Sequence, residues 1–226
     1  QQHRGKTDKT ILIGRERAYH GVGFGGISVG GLPMNKKDFP LLENVDHICS
    51  THNLEKNAFS KGQPDWGKEL AEDLLQVIEK HGADKIAAFI TEPLAGSTGV
   101  LVPPKGYLER IREICTQNDI LLIFDEVITG FGRLGAPFAA QYFDVEPDMI
   151  TCAKGLTSGT IPMGAVIVKK EIYDAYQDGD AKSIDLFHGY TYSAHPMAAA
   201  ALIATLDVYS EDNLFERTNE LASYWE

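Results

Sequence analysis

Apolar, β-branched runs alternate along the chain with stretches whose apolar residues recur at helical spacing. The runs predict strands at Thr10–Arg15, Ile86–Thr91, Ile120–Asp125, Met149–Cys152 and Gly164–Lys169. Between the second and third, Tyr107, Leu108, Ile111, Ile114 and Cys115 form one helical stripe. Earlier, Leu70, Leu74, Val77 and Ile78 form another, ended near His81-Gly82 because glycine tolerates the backbone turn that closes a helix. Both stripes read as core-facing, with no chemical role. Ile120-Leu-Leu-Ile-Phe124 is apolar at every position, as a strand buried on both faces requires. The alanine-rich segment Pro196–Ser210, headed by proline, predicts a helix packed closely on a neighbour. This β-α-β-α order predicts an α/β fold, a mainly parallel sheet with helices on both faces. There is no internal repeat and no low-complexity linker.

With 226 residues the chain can bury a substantial core, as one large domain or two small ones. Its 43% hydrophobic and 23% charged residues are ordinary for a soluble globular protein. A formal charge of −11 argues against a nucleic-acid or anionic-membrane partner, which would need a basic face, but leaves room for a local basic pocket holding one phosphate. No apolar run approaches the ~18 residues that span a bilayer; the longest, Met197 to Ala204, is mostly alanine. The polar first residues carry no signal-peptide pattern. Cys49, Cys115 and Cys152 lie far apart without metal-ligand spacing, which suits reduced, buried thiols in a cytoplasmic protein. The chain lacks an initiating Met and ends at Glu226 inside a helical pattern, so it reads as a fragment.

Two positions carry the candidate chemistry. Asp125 closes the buried strand, so its carboxylate is expected at the carboxyl edge of the sheet, where open α/β folds bind ligands. Taken alone, a strand-end Asp is more often a helix cap. A second signal comes from Thr151-Cys-Ala-Lys-Gly-Leu-Thr-Ser-Gly159, which puts Lys154 at the end of another strand, 29 residues on. One β-α-β unit spans that separation, so both side chains can reach the same edge. The glycines around Lys154 permit close backbone approach to a ligand.

At this point the chain resembles a known family. Asp125-Glu-Val-Ile-Thr-Gly-Phe-Gly-Arg133, Ala153-Lys-Gly-Leu-Thr-Ser-Gly159 and Pro162-Met-Gly-Ala-Val166 are similar to class III aminotransferases, of the fold type I enzymes that use pyridoxal 5′-phosphate. Ala18-Tyr-His-Gly21 and His188-Gly-Tyr-Thr-Tyr-Ser-Ala-His-Pro196 match in order and at family spacing. Three further stretches, beginning at Phe24, Asn57 and Glu92, look most like ω-amino acid–pyruvate (β-alanine–pyruvate) aminotransferases. The resemblance covers essentially all of residues 1–226. It implies a three-layer sandwich on a sheet of about seven strands, and identifies the chain as the central, cofactor-holding part of the large domain. It also implies that the phosphate loop preceding this region, and the small C-terminal domain whose arginine commonly binds the substrate carboxylate, lie outside this sequence.

The resemblance assigns roles residue by residue. Lys154 binds the cofactor covalently and, once displaced by substrate, moves a proton as general base and acid. Asp125 pairs with the pyridine nitrogen and favours its protonated form. Val127 covers one ring face and Tyr19 stacks on the other, with His20 adjoining; taken alone, Tyr19-His20 would be a turn or core pair. Glu92 stands near the cofactor or is simply a strand-end acid. Thr191, flanked by Tyr190 and Ser193, binds the cofactor phosphate of the neighbouring subunit, so a homodimer with shared sites is implied. One departure stands out: several class III enzymes carry a Gln directly after the Val, and here Ile128 cannot donate that hydrogen bond. The implied reaction moves an amino group from an ω-amino acid or amine to pyruvate or another 2-oxo acid. An ornithine- or 4-aminobutyrate-type aminotransferase or an aminomutase is the alternative, as is a catalytically incomplete fragment retained for assembly.

Two other readings are weaker. Gly21-Val-Gly-Phe-Gly-Gly26 satisfies the dinucleotide fingerprint, but Glu16 to His20 separate it from the strand, and Gly30 and Gly31 oppose a following helix. Leu121 to Glu126 resembles the strand and acid of a P-loop ATPase, yet no G-x-x-x-x-G-K-[ST] occurs.

Overall fold

The computed structural model describes residues 1–60, 62–177 and 186–225. Strands β1 (Ile11–Arg15), β2 (Val45–Ile48), β3 (Ile86–Thr91), β4 (Leu121–Asp125), β5 (Met149–Cys152) and β6 (Ala165–Val168) form one sheet in the order β2-β1-β3-β4-β5-β6. All pairings are parallel except that of β6, which runs antiparallel to β5 at the edge. Helices α1 (Phe24–Val29) and α2 (Pro33–Lys36) follow β1. Between β2 and β3 lie α3 (Leu54–Asn57), α4 (Gly67–Ala71) and α5 (Asp73–His81). The long α6 (Tyr107–Gln117) joins β3 to β4, and α7 (Ala139–Tyr142) stands between β4 and β5. After β6 come α8 (Lys170–Gln177), α9 (Pro196–Glu211) and α10 (Leu214–Trp225). The family resemblance implies about seven strands; six are present among the described residues, because the remaining long apolar segments there are helical.

Alternation along the strands separates two faces. Ile13, Phe89, Leu122 and Phe124 join the main core with Leu74 and Val77 of α5 and the buried stripe of α6. Burying each such side chain stabilises the fold by about 2 kcal/mol. The intervening residues Leu12, Ala88, Ile90, Ile123 and Asp125 face the opposite side and line a cavity. Helix α5 stops where the pattern places its end: Gly82 has φ 86° and its N–H returns to the Ile78 carbonyl. Helix α1 lies so close to β1 that a Cβ on Gly14 would run into the Val29 carbonyl oxygen.

Four expectations are corrected. A helix does form in the glycine-rich segment: α1 is six residues long and Gly30 ends it, its N–H bonded to the Gly26 carbonyl at 2.9 Å. Helix α9 forms as expected, with the His195 ring accepting from the Met197 N–H, but its packing is sparse. Ala198 is its buried residue, whereas Met197 and Ile203 are more than half exposed; its described contacts are with the Lys154 turn, α10 and the Phe131 ring. Cys115 and Cys152 are buried thiols, but Cys49 is exposed, since the chain leaves the sheet edge after Ile48. The sequence pattern also misses β2, whose Val-Asp-His-Ile alternation is half polar.

That edge strand is pinned by its charge. Asp46 accepts hydrogen bonds from Lys80 Nζ at 2.8 Å and His81 Nε2 at 2.7 Å, both on α5, and from the His47 N–H at 2.8 Å. Partial burial pushes its carboxyl up, but these donors outweigh burial and bring its pKa down to about 2. A depressed carboxyl pKa contributes stability that is present above the unfolded value and lost as pH falls through the folded one. Asp46→Asn is therefore expected to cost about 1 kcal/mol at neutral pH, discounted for solvent screening. In urea titrations the difference from the parent protein should vanish as pH falls from about 4 towards about 2. No helix among the described residues is long and apolar enough to cross a membrane, and no cluster there has metal-ligand composition.

Candidate active site

Parallel pairing of β4 with β5 sets Asp125 opposite Thr151, so both strands end at the same edge, and the Glu126 N–H continues the ladder to the Thr151 carbonyl at 2.8 Å. A cavity of 410 Å³ opens there, over the sheet face that carries Leu12, Ala88, Ile90 and Ile123. The structure brings Tyr19, His20, Glu92, Asp125, Val127 and Lys154 onto it, and adds Ile128.

The Asp125 side chain is 9% exposed. Its Oδ2 lies 2.7 Å from Nδ1 of His20, whose side chain is only 2% exposed, and its Oδ1 accepts the Val127 N–H at 3.1 Å. The imidazole Nδ1–H donates to the carboxylate, which both orients the acid and neutralises part of the cost of burying it. Each carboxylate oxygen retains acceptor capacity. The Nε2 of His20 is buried without a hydrogen-bond partner.

Glu92, 4% exposed, spends its carboxylate on the backbone: Oε1 accepts the Tyr19 N–H at 3.0 Å and Oε2 the Gly96 N–H at 3.1 Å. It staples the Tyr19-His20 segment to the loop after β3. It lines the cavity and directly follows β3. Ile128 packs on Gly96, where a Cβ would approach its Cδ1 to 2.7 Å. That corner of the cavity is apolar, as the replacement of Gln by Ile requires.

Lys154 lies one residue beyond β5, after Ala153, and begins a 3-10 turn, Lys154–Thr157, in the left-handed backbone region at φ 45°. Its side chain is exposed and borders the cavity. Thr191 does not line this cavity; it lies in an exposed turn in which Ser193 Oγ accepts the Tyr190 N–H at 3.0 Å.

Glu126 is a residue of the site that the sequence pattern leaves unassigned. It is fully buried, and accepts from Thr129 Oγ1 at 2.9 Å, the Ala139 N–H at 2.6 Å and the Ala140 N–H at 2.9 Å. Burial, with the neighbouring Asp125 charge, pushes its carboxyl up, while the three donors oppose the shift. It ties the end of β4 to the start of α7, closing the excursion that carries Val127 and Ile128. The one available signal was an acid directly after a buried strand, which does not reveal a partner 13 residues away.

The ring portion of a pyridoxal-type cofactor fits this donor set. Asp125 offers a buried anionic acceptor for a ring N–H, Tyr19 and Val127 offer faces, and Lys154 offers a primary amine at the same cavity.

Fold and site together define an α/β domain whose lysine and buried carboxylate open onto one cavity at the carboxyl edge of a mainly parallel sheet. A class-III aminotransferase model matches residues 1–226, and the chain belongs to that family. It is 62% identical over 224 residues to an omega-aminotransferase of Caulobacter vibrioides, covering 99% of this chain and 51% of that protein. It is 52% identical over 227 residues to a beta-alanine–pyruvate aminotransferase of Pseudomonas aeruginosa, covering 99% of this chain and 50% of the relative. Among solved structures, an (S)-enantioselective omega-transaminase from Thermomicrobium roseum superposes with a TM-score of 0.89 at 36% identity, over 99% of this chain and 49% of that one. The chain spans about half the length of the curated relatives it matches.

Proposed function

We propose that the protein is a pyridoxal-phosphate-dependent transaminase that moves an amino group from an ω-amino acid such as β-alanine, or from an amine, to pyruvate. In this reading, residues 1–226 are the cofactor-holding part of its large domain. The observation that carries the proposal is that Lys154 and the His20-paired Asp125 open onto one cavity. The 62% and 52% identities to relatives named for omega and beta-alanine–pyruvate transamination support the donor class and favour it over the ornithine- and 4-aminobutyrate-type alternatives.

Bound pyridoxal 5′-phosphate supplies an electron-withdrawing ring conjugated to the substrate carbon that loses and regains a proton. The chain's residues act around it. Lys154 would hold the cofactor covalently through its amine and, once freed by substrate, would carry a proton between the substrate carbon and the cofactor carbon. Asp125, kept in place by His20 and the Val127 N–H, would accept from the ring N–H and favour the protonated ring nitrogen. Tyr19 and Val127 would hold the ring from its two faces, and Glu92 fixes the Tyr19 backbone through its N–H.

Thr191 completes the phosphate site of a partner subunit in this proposal, which its exposed turn outside the cavity supports. The bare apolar surface of α9 supports a homodimer. A cytoplasmic location suits three free cysteines.

The test supplies the full-length protein with pyridoxal 5′-phosphate, β-alanine and pyruvate. Alanine should form one-to-one with β-alanine consumed and should be absent without pyruvate. A preference for 2-oxoglutarate over pyruvate would instead favour the 4-aminobutyrate or ornithine type.

A further inference from the structure

Left-handed backbone is unfavourable for a residue with a Cβ and persists where the surroundings hold it. Lys154 has that conformation, and local bonds account for part of its support. The Leu156 N–H donates to the Ala153 carbonyl at 3.0 Å, and the Gly159 N–H to the Lys154 carbonyl at 3.1 Å. The remaining support comes from a distant element. Tyr209, near the end of α9, donates its hydroxyl to the Gly155 carbonyl at 2.7 Å, although that oxygen already accepts the Ser158 N–H at 3.2 Å.

On its other side Gly155 meets Phe131, where an added Cβ would come to 2.7 Å from the Phe131 Cβ. The Phe131 ring stacks on Tyr209 with centroids 6.1 Å apart and planes 20° apart, and meets Phe138 edge-on at 5.3 Å. Phe138 directly precedes α7, the helix held by Glu126. A continuous set of contacts therefore runs from Glu126 through Phe138, Phe131 and Tyr209 to the lysine turn. A phenylalanine at position 209 would keep the stacking, so only the hydrogen bond to the Gly155 carbonyl requires a tyrosine.

We propose that Tyr209 is a positioning residue for Lys154: its hydroxyl fixes the Gly155 peptide and so holds the lysine turn in the geometry that presents the amine to the cavity. This rests on the cofactor-binding role given to Lys154 above. Small displacements of a reacting group cost large factors in rate, so removing one of several restraints is expected to slow Lys154 by about tenfold.

The experiment uses Tyr209→Phe in the full-length protein, with Phe215→Leu as a control that disturbs the far side of the Tyr209 ring, 5.5 Å away, and spares the hydroxyl. Two rates are read: capture of pyridoxal 5′-phosphate by Lys154 in the cofactor-free protein, from growth of the visible band, and turnover per bound cofactor. For Tyr209→Phe both rates should fall about tenfold, with KM for donor and acceptor within about twofold and little change in Tm. For Phe215→Leu the Tm should fall, while both rates per folded molecule stay near the parent values. Parent-like capture and turnover in Tyr209→Phe would overturn the proposal, as would equal slowing in Phe215→Leu, which would reduce Tyr209 to a packing role. If the unsubstituted protein develops no visible band at all, the role of Lys154 itself falls, and this inference with it.

Discussion

Lys154→Ala in the full-length protein is expected to abolish transamination, by more than about 10⁴-fold or roughly 5 kcal/mol of barrier, because no other amine among the described residues borders the cavity. The fold should survive. The side chain is exposed at the sheet edge, and alanine meets the left-handed backbone there on the same terms as lysine. The substitution also reports on subunit sharing. Thr191→Ala should weaken cofactor affinity by about 1–3 kcal/mol, the usual loss for a hydrogen bond to a charged group. If Thr191 serves the partner's cofactor, a mixed dimer of the two variants puts both lesions in one site and leaves the other intact. Activity at limiting cofactor should then reappear when the two defective proteins are combined. Its absence in dimers proven to be mixed would place Thr191 in its own chain's site.

Asp125→Asn is expected to have the second largest effect. Asparagine keeps the shape and can still accept the Val127 N–H, but removes the carboxylate proposed to hold a proton on the ring nitrogen. The variant should still bind cofactor, yet lose about three orders of magnitude in the proton-transfer step, on the order of 4 kcal/mol. The His20 pairing sharpens this expectation. A carboxylate 9% exposed with an imidazole Nδ1 at 2.7 Å is held in one orientation by that bond. Stopped-flow measurement of deprotonation separates the step from cofactor affinity. Near-parental rates with cofactor bound would mean that another group partners the ring nitrogen.

The strands that position these residues were legible as apolar runs: the parallel β3 and β5 lie at their expected bounds, β4 starts one residue late, and the antiparallel edge strand β6 falls one residue short at each end. The exception is instructive. In β2, Asp46 and His47 break the pattern, since an edge strand can satisfy polar side chains from a neighbouring helix. Asp125 and Lys154 were legible because chemistry at a sheet edge needs a strand to end on it. His20 was visible only as a neighbour of Tyr19, and its bond to Asp125 spans 105 residues that no local pattern encodes. Glu126 and Tyr209 were hidden for a related reason. One looks like the second half of an Asp-Glu pair and the other like an ordinary aromatic on a helix, and their roles come from the backbone groups they meet.

The placement of the cofactor on Lys154 is tested most directly by borohydride reduction of the cofactor-loaded protein followed by peptide mapping. The reduced cofactor should be found on the peptide that contains Lys154. Lys169 and Lys170 are the instructive contrast: β6 runs antiparallel to β5, and their amines pair with Glu146 and Asp148, and with Asp174, away from the cavity. Label on either of them, with Lys154 unmodified, would contradict the account.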